Sequence, residues 1–233
     1  MADTLSVYRS EQKFLISYPD AARLKTQLNA FLRSDEHGKK GVYRVKSLYY
    51  DTPDGRDYLE KLDGLEQRQK LRLRIYDEKQ PGAKLELKSK NGHLQHKTSL
   101  QVSRKDAEIL AKGIYTPLFS YDGEEAMKLY AMLSLHRYRP AVIIEYDRTA
   151  LFYREFDVRL TFDSHIRSSE INLNLYERQL SWNPVFRDAV ILEVKFNQAL
   201  PGFIQRLLQP YHLTAVSFSK YYAGRPAIGS YMI

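Results

Sequence analysis

The sequence predicts an α+β protein built on an antiparallel, eight-stranded β-sheet. Three observations lead there. Eight runs read as extended chain, most of them alternating apolar with polar residues at a period of two. Asn91-Gly92 joins two of these runs, the strongest short hairpin signal, because both turn residues must tolerate positive φ. Four amphipathic stretches lie between the strands, so strands outnumber helices and hairpins are short.

Taken in order, the first strand is Arg9 to Ile16. A helix follows from Pro19 to Arg33: Pro19 suits a first turn, and Leu24, Leu28, Phe31 and Leu32 share a stripe. Val42 to Asp51 is the second strand, then Lys70 to Tyr76, Ala83 to Lys90 and His93 to Val102. The next helix, Ser103 to Lys112, opens on a capping Ser with Asp106 three residues on and stops at Gly113. Asp122 to Leu135 carries a capping-box variant in Asp122 and Glu125, and buries Met127, Tyr130 and either Leu133 or Leu135. The remaining strands are Ala141 to Phe152, Val158 to Phe162 and Ala189 to Phe196. Pro201 to Gln209 is the last helix, with Phe203, Leu207 and Leu208 on its apolar side. No repeat, linker or low-complexity block interrupts the chain, so residues 1–233 read as a single domain.

What alternates with the apolar residues is informative. Leu71, Leu73 and Ile75 share one strand face and Arg72 and Arg74 the other. Leu85 and Leu87 oppose Lys84, Glu86 and Lys88; Lys97 shares a polar face with Gln95 and Ser99. Val158-Arg159-Leu160 repeats the pattern, Glu193 and Lys195 oppose four apolar neighbours, and Arg9, Glu11 and Lys13 lie on one side of the first strand. One reading is a solvated outer face, common in antiparallel sheets. The other is a sheet closed with its charged sides inward, since eight strands enclose room for one elongated ligand. Such an interior repels itself when empty, and a chain of phosphates relieves it, Arg offering planar forks and Lys point charges. An isolated carboxylate there, Glu193 above all, either holds a divalent cation or pairs with an arginine.

Composition agrees with an anionic partner. Lys and Arg total 36 against 28 Asp and Glu, a formal charge of +8. The absence of cysteine excludes disulfides and thiolate chemistry. The opening residues, MADTLSVYRSEQK, hold no apolar stretch of secretory type, and no apolar run is long enough to span a bilayer, so the expectation is a cytoplasmic protein. His93 and His96 look like a metal pair, but residues three apart on a strand point to opposite faces, which favours surface histidines. The 18 tyrosines fall mostly within strands, where packing explains them better than stacking on nucleic acid; no nucleic-acid partner is expected.

An ordered set of strings resembles a known family. Glu11-Gln-Lys13-Phe14, Ser47-Leu-Tyr-Tyr-Asp51-Thr-Pro, Leu71-Arg72-Leu73-Arg74-Ile75-Tyr76 and Leu85-Glu86-Leu87-Lys88 come first. Tyr146-Asp147-Arg148-Thr149-Ala150, Val158-Arg159-Leu160, Leu192-Glu193-Val194-Lys195-Phe196 and Ser219-Lys220-Tyr221 complete it. Together they resemble the polyphosphate-polymerase (vacuolar transporter chaperone, VTC) domain, a branch of the CYTH-like triphosphate tunnel metalloenzymes. The resemblance implies a closed antiparallel eight-stranded β-tunnel with helices packed outside. It implies transfer of the terminal phosphoryl group of ATP onto polyphosphate, dependent on Mn²⁺ or Mg²⁺. Lys13, Arg72, Arg74, Lys88, Lys97, Arg148, Arg159 and Lys220 would contact phosphates and Glu193 would hold the metal, with Arg72, Arg74, Lys88 and Glu193 carrying the reaction. Arg9 stands where hydrolytic relatives carry Glu, which argues against triphosphate hydrolysis. Arg148 is out of step with Glu145 and Asp147, so either those acids point outward or a bulge intervenes. The alternatives are a non-catalytic module that binds polyphosphate or triphosphate, and an inorganic triphosphatase. A separate membrane partner is compatible with each.

Overall fold

The computed structural model describes residues 9–35, 41–92 and 94–225. Eight long strands lie where the alternation places them: β1 (Arg9–Ser17), β3 (Val42–Asp51), β4 (Arg68–Ile75), β5 (Gly82–Asn91), β6 (Leu94–Ser103), β7 (Arg139–Tyr153), β8 (Val158–Ser169) and β10 (Ala189–Asn197). Two short strands, β2 (Arg33–Ser34) and β9 (Asn183–Pro184), pair with β7 and β8. Among the described residues they form one ten-stranded antiparallel sheet, ordered β1-β10-β8-β7-β3-β4-β5-β6 along its main path. The class is α+β.

The helices are α1 (Tyr18–Asn29), α2 (Arg56–Leu62), α3 (Arg104–Leu110), α4 (Glu124–Leu135), α5 (Gly202–Leu208) and α6 (Lys220–Ala223). Ser17 caps α1 by accepting the Asp20 N–H at 3.2 Å, and Ser103 caps α3 in the same way from Asp106 at 3.1 Å. The first helix ends four residues early, because Arg33 and Ser34 are drawn into pairing with β7. Phe31 therefore leaves the stripe and is exposed, whereas Leu24, Leu28 and Leu32 are buried. In α4 the buried stripe is Ala126, Leu129 and Leu133; Met127 and Leu135 face solvent and Tyr130 is half-buried. Its cap is Gly123, with no side-chain hydrogen bond, so the expected Asp122 box does not form. In α5 it is Ile204 that is buried, with Phe203, Leu207 and Leu208 packed partly against it.

The hairpin stands one residue later than expected. Asn91 still pairs with Leu94, and Gly92 takes the positive φ of 57°. His93, half of the candidate histidine pair, lies outside the described residues.

Two compact units emerge. One is drawn from within Met1–Arg44, Tyr146–Ile166 and Phe186–Phe218; the other from within Val45–Glu145, Arg167–Val185 and Ser219–Ile233. The first has a core of Phe14, Leu24, Leu28, Leu160, Phe162, Leu192 and Val194. The second buries Leu48, Tyr50, Leu71, Leu73, Ile75, Leu85, Leu129 and Ile143. Each such side chain contributes about 1.5–3 kcal/mol on burial. These cores use one face of each strand and leave the other to the charged residues. No helix among the described residues is long and apolar enough to cross a membrane.

Candidate functional site

In the second unit the register brings the charged residues of four strands to one face. Tyr49 lies opposite Arg72, Arg72 opposite Glu86, and Glu86 opposite Ser99. One step along, Lys70, Lys88 and Lys97 stand abreast on β4, β5 and β6. Glu86 is the focus. Its carboxylate receives Arg72 Nε at 2.9 Å, Arg74 Nη1 at 3.6 Å and Lys97 Nζ at 2.5 Å. Burial would raise its pKa, but Arg72, Arg74 and Lys97 hold it down to about 2. Arg72 also donates through Nη1 to Tyr49 Oη at 3.3 Å, and Arg74 through Nε to Ser47 Oγ at 3.4 Å. Lys70 lies 4.8 Å from the Tyr49 ring centroid and donates to Ser219 Oγ at 3.1 Å. Arg74 is 8% exposed, so this is no solvated outer face at that point; Lys88 and Lys97 are exposed. Lys220 opens α6, which is anchored by the Tyr221 hydroxyl donating to the buried Asp51 carboxylate.

In the first unit, Glu11 lies opposite Lys195 and Lys195 opposite Arg159; Lys13 lies opposite Glu193 and Glu193 opposite Thr161. Lys195 Nζ reaches Glu193 at 2.7 Å and Glu11 at 3.6 Å, and Lys13 Nζ reaches Glu11 at 3.0 Å. Lys13 further donates to the Phe218 carbonyl at 3.2 Å. Arg159 approaches Asp35 at 3.6 Å, donates to Tyr43 Oη at 3.3 Å and covers the Phe152 ring. Arg148 is bound to Asp163, and its partner's alternation step settles its direction: it shares the charged face, whereas Asp147 turns to the exposed Arg44 and His165. No bulge is needed.

The two faces group their charges differently. In the first unit Lys13, Lys195, Arg148 and Arg159 meet Glu11, Glu193, Asp163 and Asp35. In the second, Arg72, Arg74 and Lys97 converge on the carboxylate of Glu86, with Lys70 and Lys88 beside them.

The sequence profile of the VTC domain matches residues 8–228, nearly the whole chain. This chain belongs to the VTC domain family. Among solved structures it is similar to a candidate adenylate cyclase from Bacillus halodurans, at 17% identity and a TM-score of 0.54, over 91% of this chain and 95% of that one. It is also similar to a Hippeastrum protein, a candidate adenylyl cyclase with a dominant triphosphatase activity, at 16% identity and a TM-score of 0.56, over 92% and 94%. These likenesses concern the fold. No curated protein sequence matches the chain.

The VTC family implies a divalent cation. Among the described residues no three His, Cys, Asp or Glu side chains gather into a metal cage. Mg²⁺, however, ordinarily takes only one or two protein carboxylates and fills its sphere with water and substrate phosphate. Glu193 and Glu11, both within reach of the Lys195 ammonium, offer that number of hard oxygen donors, and the donor set fits Mg²⁺ or Mn²⁺.

Of the residues singled out by sequence, Arg72, Arg74 and Lys97 come together around Glu86, and Lys13 and Glu193 around Lys195 and Glu11. Arg148 and Arg159 each have a carboxylate of their own. Lys70 and Tyr49 were missed. Lys70 is legible in hindsight, one alternation step before Arg72 and Arg74; Tyr49 was hidden in a Tyr49-Tyr50 pair of which Tyr50 serves the core.

Proposed function

We propose that this VTC domain binds triphosphate and polyphosphate on its charged sheet faces, closed into a tunnel, and transfers the terminal phosphoryl group of ATP onto a polyphosphate chain. One observation carries the anion-binding half: Arg72, Arg74 and Lys97 converge on the Glu86 carboxylate, and Lys70 and Lys88 stand on the same strand face beside them. Five cationic side chains gathered on one strand face attract an anion, the more strongly where they are partly buried. The Glu86 carboxylate fixes both guanidiniums in place, so phosphate oxygens meet preset forks and little side-chain entropy remains to be lost on binding. Membership of the VTC family supports the tunnel and the substrate class.

Transfer needs the donor and acceptor aligned and the charge of the moving group neutralised. The bond from the γ-phosphorus to the β–γ bridging oxygen breaks, ADP departs with the electron pair, and a terminal oxygen of the acceptor chain bonds to phosphorus. That oxygen is already anionic, so no side-chain base is required. A divalent cation on Glu193 and Glu11 would neutralise charge on the transferring group. Lys13, Lys195 and Arg159 would orient neighbouring phosphates, and Lys88, Lys97 and Lys220 the growing chain. A cytoplasmic setting, where ATP is available, belongs to the same reading.

A second reading, binding without turnover, is favoured by the ion pairs that already hold Glu193 and Glu11. Incubation with ATP and Mn²⁺, followed by a gel for long polymer, separates the two. Polymer supports the transferase; binding of tripolyphosphate with no polymer supports the module; orthophosphate without polymer means an inorganic triphosphatase.

A further inference from the structure

Tyr49 stands in the β3–β6 cluster opposite Arg72, a phenol set among cationic side chains. It is 2% exposed, yet its hydroxyl lies among cations rather than in an apolar core. Arg72 Nη1 donates to that oxygen at 3.3 Å, Lys70 Nζ stands 4.8 Å from the ring centroid, and Arg74 lies on the same strand as both. Among the described residues nothing accepts the phenol's own proton. On the remaining side the Tyr221 ring packs at 5.4 Å, and its oxygen is committed to Asp51. Glu86 offsets part of the charge of Arg72 and Arg74 and also binds Lys97.

We propose that Tyr49 makes polyanion binding at this face proton-linked: its phenolate serves as an internal anion for Lys70, Arg72 and Arg74, and it takes up a proton when phosphate oxygens replace it. The inference rests on the anion-binding reading above and adds what gates it. Burial alone would raise the phenol's pKa, but Lys70, Arg72 and Arg74 overcome it and bring the group down to about 7. An arriving phosphate adds negative charge beside the same three cations. It removes the stabilisation of the phenolate, and a proton from solvent converts O⁻ to OH.

The consequence is directional. Below the phenol's pKa, Tyr49 is already neutral and phosphate displaces no phenolate from these cations. Above it, each binding event draws one proton, so affinity falls up to about tenfold per pH unit. Tyr49→Phe retains the ring without the ionising oxygen; it should flatten that dependence and tighten alkaline binding.

The test has two arms. In the first, the near-ultraviolet tyrosinate band of the free folded protein is titrated. One tyrosine of 18 is expected to ionise near pH 7, its signal absent from Tyr49→Phe and retained in Tyr76→Phe. The second variant matters because Arg74 also lowers the Tyr76 phenol. In the second arm, calorimetry with tripolyphosphate is run above pH about 7 in two buffers of different ionisation enthalpy. Proton uptake by the wild type that Tyr49→Phe lacks supports the proposal; the ligand's own protonation is common to both proteins and cancels. Tight binding with no early tyrosinate overturns the role of Tyr49 alone. An early tyrosinate that persists in the saturated wild type also overturns it, and needs no variant. Failure of tripolyphosphate to bind the wild type removes the anion-binding reading and this linkage with it.

Discussion

Arg148 holds Asp163 with two parallel hydrogen bonds, Nε to Oδ1 at 2.6 Å and Nη2 to Oδ2 at 2.7 Å, and the carboxylate is wholly shielded from solvent. Burial lowers the guanidinium's pKa, yet Tyr146 and Asp163 outweigh it and raise it well above its ordinary value. Arg148→Ala strands a buried carboxylate, so a loss of about 3–5 kcal/mol is expected. Lysine should not restore it, because it cannot make the paired fork. Urea unfolding checks this through the midpoint; a shift equivalent to less than about 1 kcal/mol would mean the pair does not hold the strands.

Arg72→Ala and Arg74→Ala should each weaken tripolyphosphate binding by roughly ten- to a hundredfold, the size of a charge-assisted hydrogen bond of about 1.5–3 kcal/mol. Titration calorimetry measures it directly. Unchanged affinity in both variants would remove this face from the phosphate path.

Glu193→Gln should keep tripolyphosphate binding while polymer formation from ATP and Mn²⁺ is lost. The amide retains the shape but surrenders the charge a hard cation requires. Wild-type turnover by this variant would rule out its role as a metal ligand.

Asp57 gives the fold a pH dependence of the opposite sign to most carboxylates. It is buried, accepts the Tyr138 hydroxyl at 2.8 Å on one oxygen, and has no partner on the other. Burial first, then the neighbouring Asp51 charge, raises its pKa to about 7. A carboxyl raised in the fold contributes stability that is complete below its unfolded value of about 3.9 and is lost as pH rises through its folded one. The Tm should therefore decline as pH rises from about 4 to about 7 and level off above that, and Asp57→Asn should flatten the decline. A pH series of melting curves on both proteins decides it.

Strand order along the chain was legible because both cores are built by period-two alternation: Leu71, Leu73 and Ile75 point one way whatever the helices do. Helix ends were less legible. The early stop of α1 depends on β2 finding β7 more than a hundred residues away, which no local pattern records. The helix α2 was missed for a similar reason. Its first N–H groups are capped by the Asp51 carboxylate, accepting from Asp57 at 2.9 Å and Tyr58 at 3.1 Å, a partner several residues before the helix begins. At the site, alternation assigned faces correctly for Arg72, Arg74 and Arg159, but could not tell which cations share a carboxylate. Glu86 and Asp163 gain their importance only from register.

The two committed faces of β4 carry a further consequence for how the chain finds its pairing. A slip of one residue would drive Arg72 and Arg74 into hydrocarbon and expel Leu71 and Leu73 among cations, so the error is penalised on both sides at once. Strands with one indifferent side tolerate such mistakes. This one does not, and the same arginines that would greet a phosphate also proofread the sheet.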